Sequence, residues 1–263
     1  MHNYELVCLG NGSALDTSTF DTNFILRHNP DEDDETILAL DVGRTWPEAM
    51  QHPGYDWKKV TAAYITHLHG DHTGGLEWFG FSNMFKKSYT DPPPRLIGAY
   101  EVIDELWNYT LRGGMESLQG VTNDIDAYFD TCKISPNGSF YWEGIEFLLV
   151  QTVHVIDERR IKSSNGLMFQ LGGTKIFFSG DTQFCPHQLL TFYEQSDLIF
   201  HDCEMASYPQ SVHAQYHELC TLPRTVREKM WLIHYNFEEF EEPSDFMERG
   251  FAGFVKEGQV FKF

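Results

Sequence analysis

Thr66-His67-Leu68-His69-Gly70-Asp71-His72-Thr73-Gly74-Gly75 carries three imidazoles and a carboxylate between His67 and His72. The run before it, Val60 to Ile65, is apolar and partly β-branched, which predicts a buried strand. Along extended chain alternate side chains share a face, so His67 and His69 project together while Leu68 turns back. Gly70 is expected to bend the chain and swing Asp71 and His72 toward a second point, with Gly74 and Gly75 permitting a sharp departure. One short peptide can then supply two ligands to each of two neighbouring metals, the arrangement used for in-line displacement. A single His at a strand end is usually structural. Four metal-binding groups directly behind an apolar strand read as half of a two-metal site.

The other half is sought where further apolar runs stop. Phe147 to Val155 carries His154 near its end, Lys175 to Thr182 ends on Gly180-Asp181, and Met230 to Tyr235 contains His234. In a layered α/β domain such strand ends gather along one rim of the sheet, where active sites collect. A carboxylate such as Asp181 can bridge two cations, and His154 and His234 can each complete one.

These residues resemble the metallo-β-lactamase superfamily, and the similarity covers nearly the whole chain. The Gly10-Asn11-Gly12-Ser13-Ala14 turn and Leu38-Ala39-Leu40-Asp41-Val42-Gly43 look like that family's opening hairpins. The resemblance implies a four-layer αββα sandwich forming one domain over residues 1–263. It assigns His67, His69 and His154 to one metal, and Asp71, His72 and His234 to the other, with Asp181 bridging. Flavodiiron oxygen reductases place an acid where this chain has His69. Asp197-Leu198-Ile199-Phe200-His201-Asp202-Cys203-Glu204 and Val212-His213-Ala214 resemble two segments of the ribonuclease Z group, with Asp202 in place of Glu and the Ser-Thr of the second segment lost. In that group an acid and a His protonate the leaving oxygen of a phosphodiester. The expected catalytic residues are therefore Asp71, Asp202 and His213, with Asp202 orienting His213 and holding it protonated.

Two features count against a tRNA substrate. The interval between His154 and Asp181 has room for a hairpin and little else, whereas ribonuclease Z enzymes carry a long tRNA-clasping arm. The chain also has 19 basic against 39 acidic residues, a formal charge of −20. A polyanionic RNA is held largely by Lys and Arg neutralising phosphates. A single phosphodiester is tolerated, because two divalent cations supply local positive charge.

Gly75-Leu76-Glu77-Trp78, Leu111 to Gly120 (LRGGMESLQG), Asp181 to Pro186 (DTQFCP) and Lys229 to Tyr235 (KMWLIHY) look like the phage anti-Pycsar phosphodiesterases. Those enzymes destroy host cyclic-nucleotide alarm signals, chiefly cyclic CMP and cyclic UMP, and cut cyclic purine nucleotides too. The resemblance implies a small cyclic-nucleotide substrate, a homodimer with a loop reaching over the partner's site, and action in the host cytoplasm. The His/Asp donors suit two zinc ions, with manganese or iron also accommodated. A tRNA 3′-processing endonuclease, a lactone or thioester hydrolase, and a non-enzymatic cyclic-nucleotide sponge are the competing readings.

With 263 residues, 41% of them hydrophobic, the chain can build a sizeable core, and no apolar run reaches the roughly 18 residues of a membrane span. The amino terminus starts on a strand-like segment, Tyr4 to Leu9, without the pattern of a secretory signal. Cys8, Cys132, Cys185, Cys203 and Cys220 are scattered and read as reduced thiols of a cytoplasmic protein, Cys203 as a small buried hydrophobe. Asn23–Leu26 and Thr36–Leu40 read as strands, with Asn29 to Glu35 a solvated hairpin tip. Asp91-Pro92-Pro93-Pro94 forces an extended connection into a strand at Leu96-Ile97-Gly98. Val102, Ile103, Leu106 and Leu111 predict a helix over Tyr100 to Leu111, followed by an irregular segment to about Phe129, a substrate lid or dimer contact. Tyr109 and Arg112 are candidates for phosphate or base contact.

Overall fold

The computed structural model describes residues 3–86, 91–205, 212–236, 243 and 246–263. In chain order the strands are β1 (Tyr4–Gly10), β2 (Asn23–His28), β3 (Thr36–Leu40), β4 (Val60–Ile65), β5 (Arg95–Ala99), β6 (Ser117–Leu118), β7 (Val121–Thr122) and β8 (Asp130–Ile134). They continue as β9 (Ser139–Trp142), β10 (Ile145–Ile156), β11 (Ile161–Leu171), β12 (Thr174–Phe178), β13 (Leu198–Asp202), β14 (Met230–Ile233), β15 (Gly253–Phe254) and β16 (Val260–Lys262). Among the described residues they form two seven-stranded sheets, ordered β16-β1-β2-β3-β4-β5-β8 and β15-β14-β13-β12-β11-β10-β9, and the small hairpin β6-β7.

Side-chain alternation explains why both sheets are buried on both faces. Leu6, Cys8, Phe24, Leu26, Leu38, Leu40 and Tyr64 of the first sheet point inward and meet Phe147, Leu149, Leu167, Phe178 and Phe200 of the second. The intervening Val7, Leu9, Ile25, Ala39 and Ile65 face outward. There they are covered by Trp46 and Met50 of α1 (Trp46–Gln51), Leu76 and Phe79 of α3 (Leu76–Lys86), and Val102 and Ile103 of α4 (Tyr100–Glu105). Between α1 and α3 lies the single turn α2 (Gly70–Thr73). After α4, the chain runs through a π-turn into α5 (Arg112–Met115). On the far side, Leu189 and Tyr193 of α6 (Pro186–Gln195) cover Phe177, Ile199 and Met230. Two sheets buried on both faces need apolar runs without polar alternation, which is how β1, β3 and β4 read. Helices outside two stacked sheets are the expected αββα layers.

Strand direction decides where the chemistry collects. β3 and β4 run parallel, as do β12, β13 and β14, so their carboxyl ends share an edge within each sheet. Residues just past such ends are where α/β sheets place ligands.

Three expectations are corrected. The chain after Leu111 is not irregular, because helix continues through Met115 and the hairpin β6-β7 follows. The strands expected over Lys175–Thr182 and Met230–Tyr235 stop at Phe178 and Ile233. Gly180 and His234 adopt left-handed φ values of 58° and 65°, which ends each ladder just before the polar residue of interest. The Asn29–Glu35 tip is solvated only in part. Asp31 is exposed, yet Glu35 is buried beside Arg27.

Arg27 lies within a buried ion network, 2.6 Å from Glu35, 2.8 Å from Glu5 and 2.7 Å from Asp31. The Asp31 arm is solvent-screened and contributes little. Glu5 and Glu35 are different, because without Arg27 each buried carboxylate would keep only a partly exposed lysine, Lys262 at 2.8 Å and Lys59 at 2.9 Å. Arg27→Met is therefore expected to destabilise the fold by about 3 kcal/mol or more in urea melts at pH 7. Burial raises the Glu35 pKa, but Arg27 and Lys59 outweigh it and hold the carboxyl below its ordinary 4.5. Stability from that shift is complete above pH 4.5 and disappears as pH falls through the lower folded value. The gap between wild type and Arg27→Met should narrow correspondingly when melts are repeated toward pH 3; a gap independent of pH would contradict the network's role.

Candidate metal centre

Three parallel strand ends and one hairpin strand converge on a single cluster, buried except for the exposed His69. His67 and His69 follow β4, Asp71 and His72 come from α2, His154 is near the end of β10, Asp181 follows β12, and His234 follows β14. His67, His69, His154 and Asp181 offer ligand atoms all within 4.8 Å of one another, and so do Asp71, His72, Asp181 and His234. Asp181 belongs to both groups. Its Oδ2 lies 3.6 Å from His67 Nε2, 3.7 Å from His154 Nε2 and 3.3 Å from His234 Nε2, while Oδ1 lies 3.3 Å from His72 Nε2.

The glycines act differently from the sequence expectation. Gly70 has an ordinary helical conformation and the turn α2 itself redirects Asp71 and His72. Gly74 and Gly75 leave no room for a side chain, since a Cβ would sit 2.6 Å from the Gly70 and 2.5 Å from the Gly43 carbonyl oxygen, respectively. At Gly43 a Cβ would sit 2.0 Å from the Asp71 carbonyl oxygen. That contact packs the β3 turn against the metal-motif backbone.

Four of the five imidazoles are each oriented by an oxygen behind them. His72 Nδ1 donates to Asp41 Oδ2 at 2.7 Å, and His67 Nδ1 to Thr66 Oγ1 at 3.0 Å. The Thr66 hydroxyl in turn donates to Asp41 at 2.8 Å. His154 Nδ1 donates to the Val212 carbonyl at 2.9 Å, and His234 Nδ1 to Thr22 Oγ1 at 2.9 Å. With Nδ1 carrying the proton, the Nε2 lone pair of each of these four rings points into the cluster. Sequence reasoning gave Asp41, Thr66 and Thr22 no role. Asp41 did carry a readable signal, a carboxylate just past an apolar strand, and its left-handed φ of 63° marks the turn that aims it.

These donors fit a pair of cations. Asp71 Oδ2, His72 Nε2 and His234 Nε2 are buried with no hydrogen-bond partner. On the other side, the His67 and His154 Nε2 atoms face His69 Nδ1 at 3.0 and 3.1 Å. Inward-facing lone pairs and carboxylates this close need positive charge between them. Burial opposes charge on His72, yet Asp181, Asp71 and Asp41 raise its pKa well above 6.5. Burial lowers His154 and His234 to about 4, so both are neutral ligand-type imidazoles. Burial would raise Asp71 and Asp181, but neighbouring imidazoles hold both carboxyls below the usual range.

Beside the cluster stands the second pair. His213 Nδ1 lies 2.8 Å from Asp202 Oδ2, which also accepts the Thr182 N–H at 2.8 Å. The His213 ring is 5.1 Å from the His154 ring and 5.0 Å from the His234 ring, between the two ligand groups. Burial opposes a charge on His213, but Asp202 overrides it and pushes the pKa up to about 10. Burial also pushes Asp202 upward, against the pull of His213. The short bond and the Thr182 amide favour carboxylate at Asp202, so the shared proton belongs to His213. A cavity of about 720 Å³ opens beside His67, His69 and His154. Tyr109 lines it, whereas Arg112 does not and is held by Glu116 at 2.7 Å.

A family model described as Anti-Pycsar protein Apyc1 matches residues 4–261. The chain belongs to the Anti-Pycsar protein Apyc1 family. The Apyc1 protein of Paenibacillus harenae is 36% identical over 229 residues, covering 86% of this chain and 88% of that protein. Among solved structures, the metallo-β-lactamase fold protein YhfI from Bacillus subtilis superposes with a TM-score of 0.74 at 13% identity, over 100% of both chains. The short form of human tRNase Z gives 0.69 at 17% identity, over 98% of each. The fold of this Apyc1-family chain is therefore the metallo-β-lactamase sandwich. Among its described residues no helix is long and apolar enough to cross a membrane.

Proposed function

We propose that this chain is a dinuclear metal-dependent phosphodiesterase that hydrolyses 3′,5′-cyclic mononucleotides, cyclic CMP and cyclic UMP among them, to 5′-monophosphates. It would thereby suppress Pycsar signalling in the host cytoplasm, working as a homodimer. The observation that carries the reading is a pair of ligand groups sharing Asp181, with His213, held by Asp202 at 2.8 Å, wedged between them. His67, His69, His154 and Asp181 would hold one divalent ion, zinc by donor type, and Asp71, His72, His234 and Asp181 the other. When bound, such ions would lower the pKa of a water toward about 7 and offset charge on the phosphate oxygens. Asp41, Thr66, Thr22 and the Val212 carbonyl keep the imidazoles aimed as charge shifts through the site. As a water-derived hydroxide oxygen bonds to phosphorus and the P–O3′ bond breaks, His213 donates its Nε2 proton to the 3′-oxygen, and Asp202 holds the ring in line. The formal charge of −20 suits a small substrate better than an RNA chain.

The test is an assay of purified protein reconstituted with zinc or manganese against cyclic CMP, cyclic UMP, a precursor tRNA and a simple lactone. Formation of 5′-CMP and 5′-UMP is expected. Lactone or tRNA turnover without nucleotide turnover would overturn the reading, and so would retention of intact cyclic nucleotide, the signature of a sponge.

A further inference from the structure

We infer that Tyr109 is the platform on which the nucleobase stacks, an assignment that rests on the cyclic-nucleotide reading above. Helical spacing explains how this ring comes to be displayed. Val102, Ile103 and Leu106 follow the three-to-four-residue rhythm of a buried helix face, and Leu111 and Met115 resume it. Leu106 and Leu111 are five apart, one residue too many for an α-turn, and the chain absorbs the excess as a π-turn over Leu106–Leu111. Both leucines remain buried, and the cost is that Asn108, Tyr109 and Thr110 are turned out. Such π-turns recur at functional sites.

The exposure is extreme for an aromatic ring. Tyr109 is 80% exposed although it lines the cavity that also contains His67, His69 and His154. Tyr100 and Ile161, also strongly exposed, line the same cavity. Tyr100 has the Lys133 ammonium over its ring at 5.6 Å, held there by Asp104. No such ring partner is seen for Tyr109 among the described residues, so its ring is left uncovered at the cavity's edge. Its backbone is also anchored. One turn earlier, Glu105 binds Arg160 at the tip of the β10-β11 hairpin, which ties the π-turn to the strand bearing His154. A cyclic nucleotide with its phosphate at the imidazole end of this cavity has its base as the remaining flat, apolar portion, and an open phenol ring on the wall is its natural partner. Every base has a π-face, so such a platform accepts pyrimidines and purines alike.

Base–aromatic stacking lost to alanine corresponds to roughly 5- to 150-fold in affinity. Tyr109→Ala is expected to raise KM for cyclic CMP by about tenfold or more and for cyclic AMP further, with the loss falling on KM rather than kcat. Tyr109→Phe, which keeps the ring, should recover most of it. Methyl ribofuranoside 3′,5′-cyclic phosphate, a substrate without a base, should be cleaved with the same KM by wild type and Tyr109→Ala. If wild type cleaves cyclic CMP but Tyr109→Ala leaves its KM unchanged, or raises KM equally for the base-free substrate, stacking is overturned and the phosphodiesterase reading stands. If wild type cleaves neither cyclic phosphate, the functional reading fails first and takes this inference with it.

Discussion

Asp181→Asn is expected to lower kcat/KM for cyclic CMP by at least about 10³-fold and to remove at least one equivalent of bound metal. The reason is the position of the carboxylate. Asp181 Oδ2 faces His67, His154 and His234, and Oδ1 faces His72, so a single side chain contributes negative charge to both ligand groups. An asparagine keeps the volume but loses the charge, and turns an amide N–H toward lone pairs that Thr66, Val212, Thr22 and Asp41 have already fixed inward. Metal ions supply several kcal/mol of transition-state stabilisation in hydrolases of this kind, and each 1.4 kcal/mol is about tenfold in rate. Elemental analysis and steady-state kinetics on the same preparation check both halves. Full metal content together with full activity would show that Asp181 is not the shared ligand.

The second large effect separates proton delivery from metal binding. His213→Ala should reduce kcat for cyclic CMP by about 10²- to 10⁴-fold while metal content is retained, because His213 is assigned as an acid and not as a ligand. The ring is placed for this: its Nδ1 is held by Asp202, its plane lies against His154 and His234, and the Asp202 carboxylate keeps a proton on it against the pull of burial. The leaving 3′-oxygen is a strongly basic alkoxide and needs that proton, whereas p-nitrophenolate does not. The defect should therefore shrink sharply with a p-nitrophenyl phosphodiester. An equal defect on both substrates would argue for a positioning role, and loss of metal would make His213 a ligand. Asp202→Asn should reproduce the same substrate pattern more weakly, since the Thr182 N–H and the His213 ring remain next to an oxygen acceptor.

How much of this was legible in the chain depended on how local the cause was. β3 and β4 were readable to the residue because a strand buried on both faces is a continuous apolar run, and the solvent has no say in where it ends. The candidate ligands were legible for a related reason: they are polar groups near or shortly after the end of a strand-like run. The helix at Tyr100 was readable, but its π-turn was not, since a five-residue gap between Leu106 and Leu111 can be absorbed by a loop, a break or a wider turn. Only packing of both leucines onto the same sheet selects the last of these. Glu35 was misjudged with its acidic neighbours because nothing local distinguishes it from Asp31. The difference is made by Arg27, on a strand across the hairpin.

Apolar runs, strand ends and residue chemistry are properties of short segments, so the strands and the candidate metal-binding groups could be read from the sequence. The two-sheet sandwich came from the chain's resemblance to the metallo-β-lactamase superfamily. Tertiary structure decided which oxygen stands behind four of the imidazoles and that His213 sits between the two ligand groups sharing Asp181. Those relations join residues as far apart as Thr22 and His234, and they exist only once two parallel sets of strands bring their carboxyl ends to a common rim. Hydrogen bonds and Coulomb forces act over a few ångströms of space, and distance along the polypeptide carries no record of which residues that space will contain.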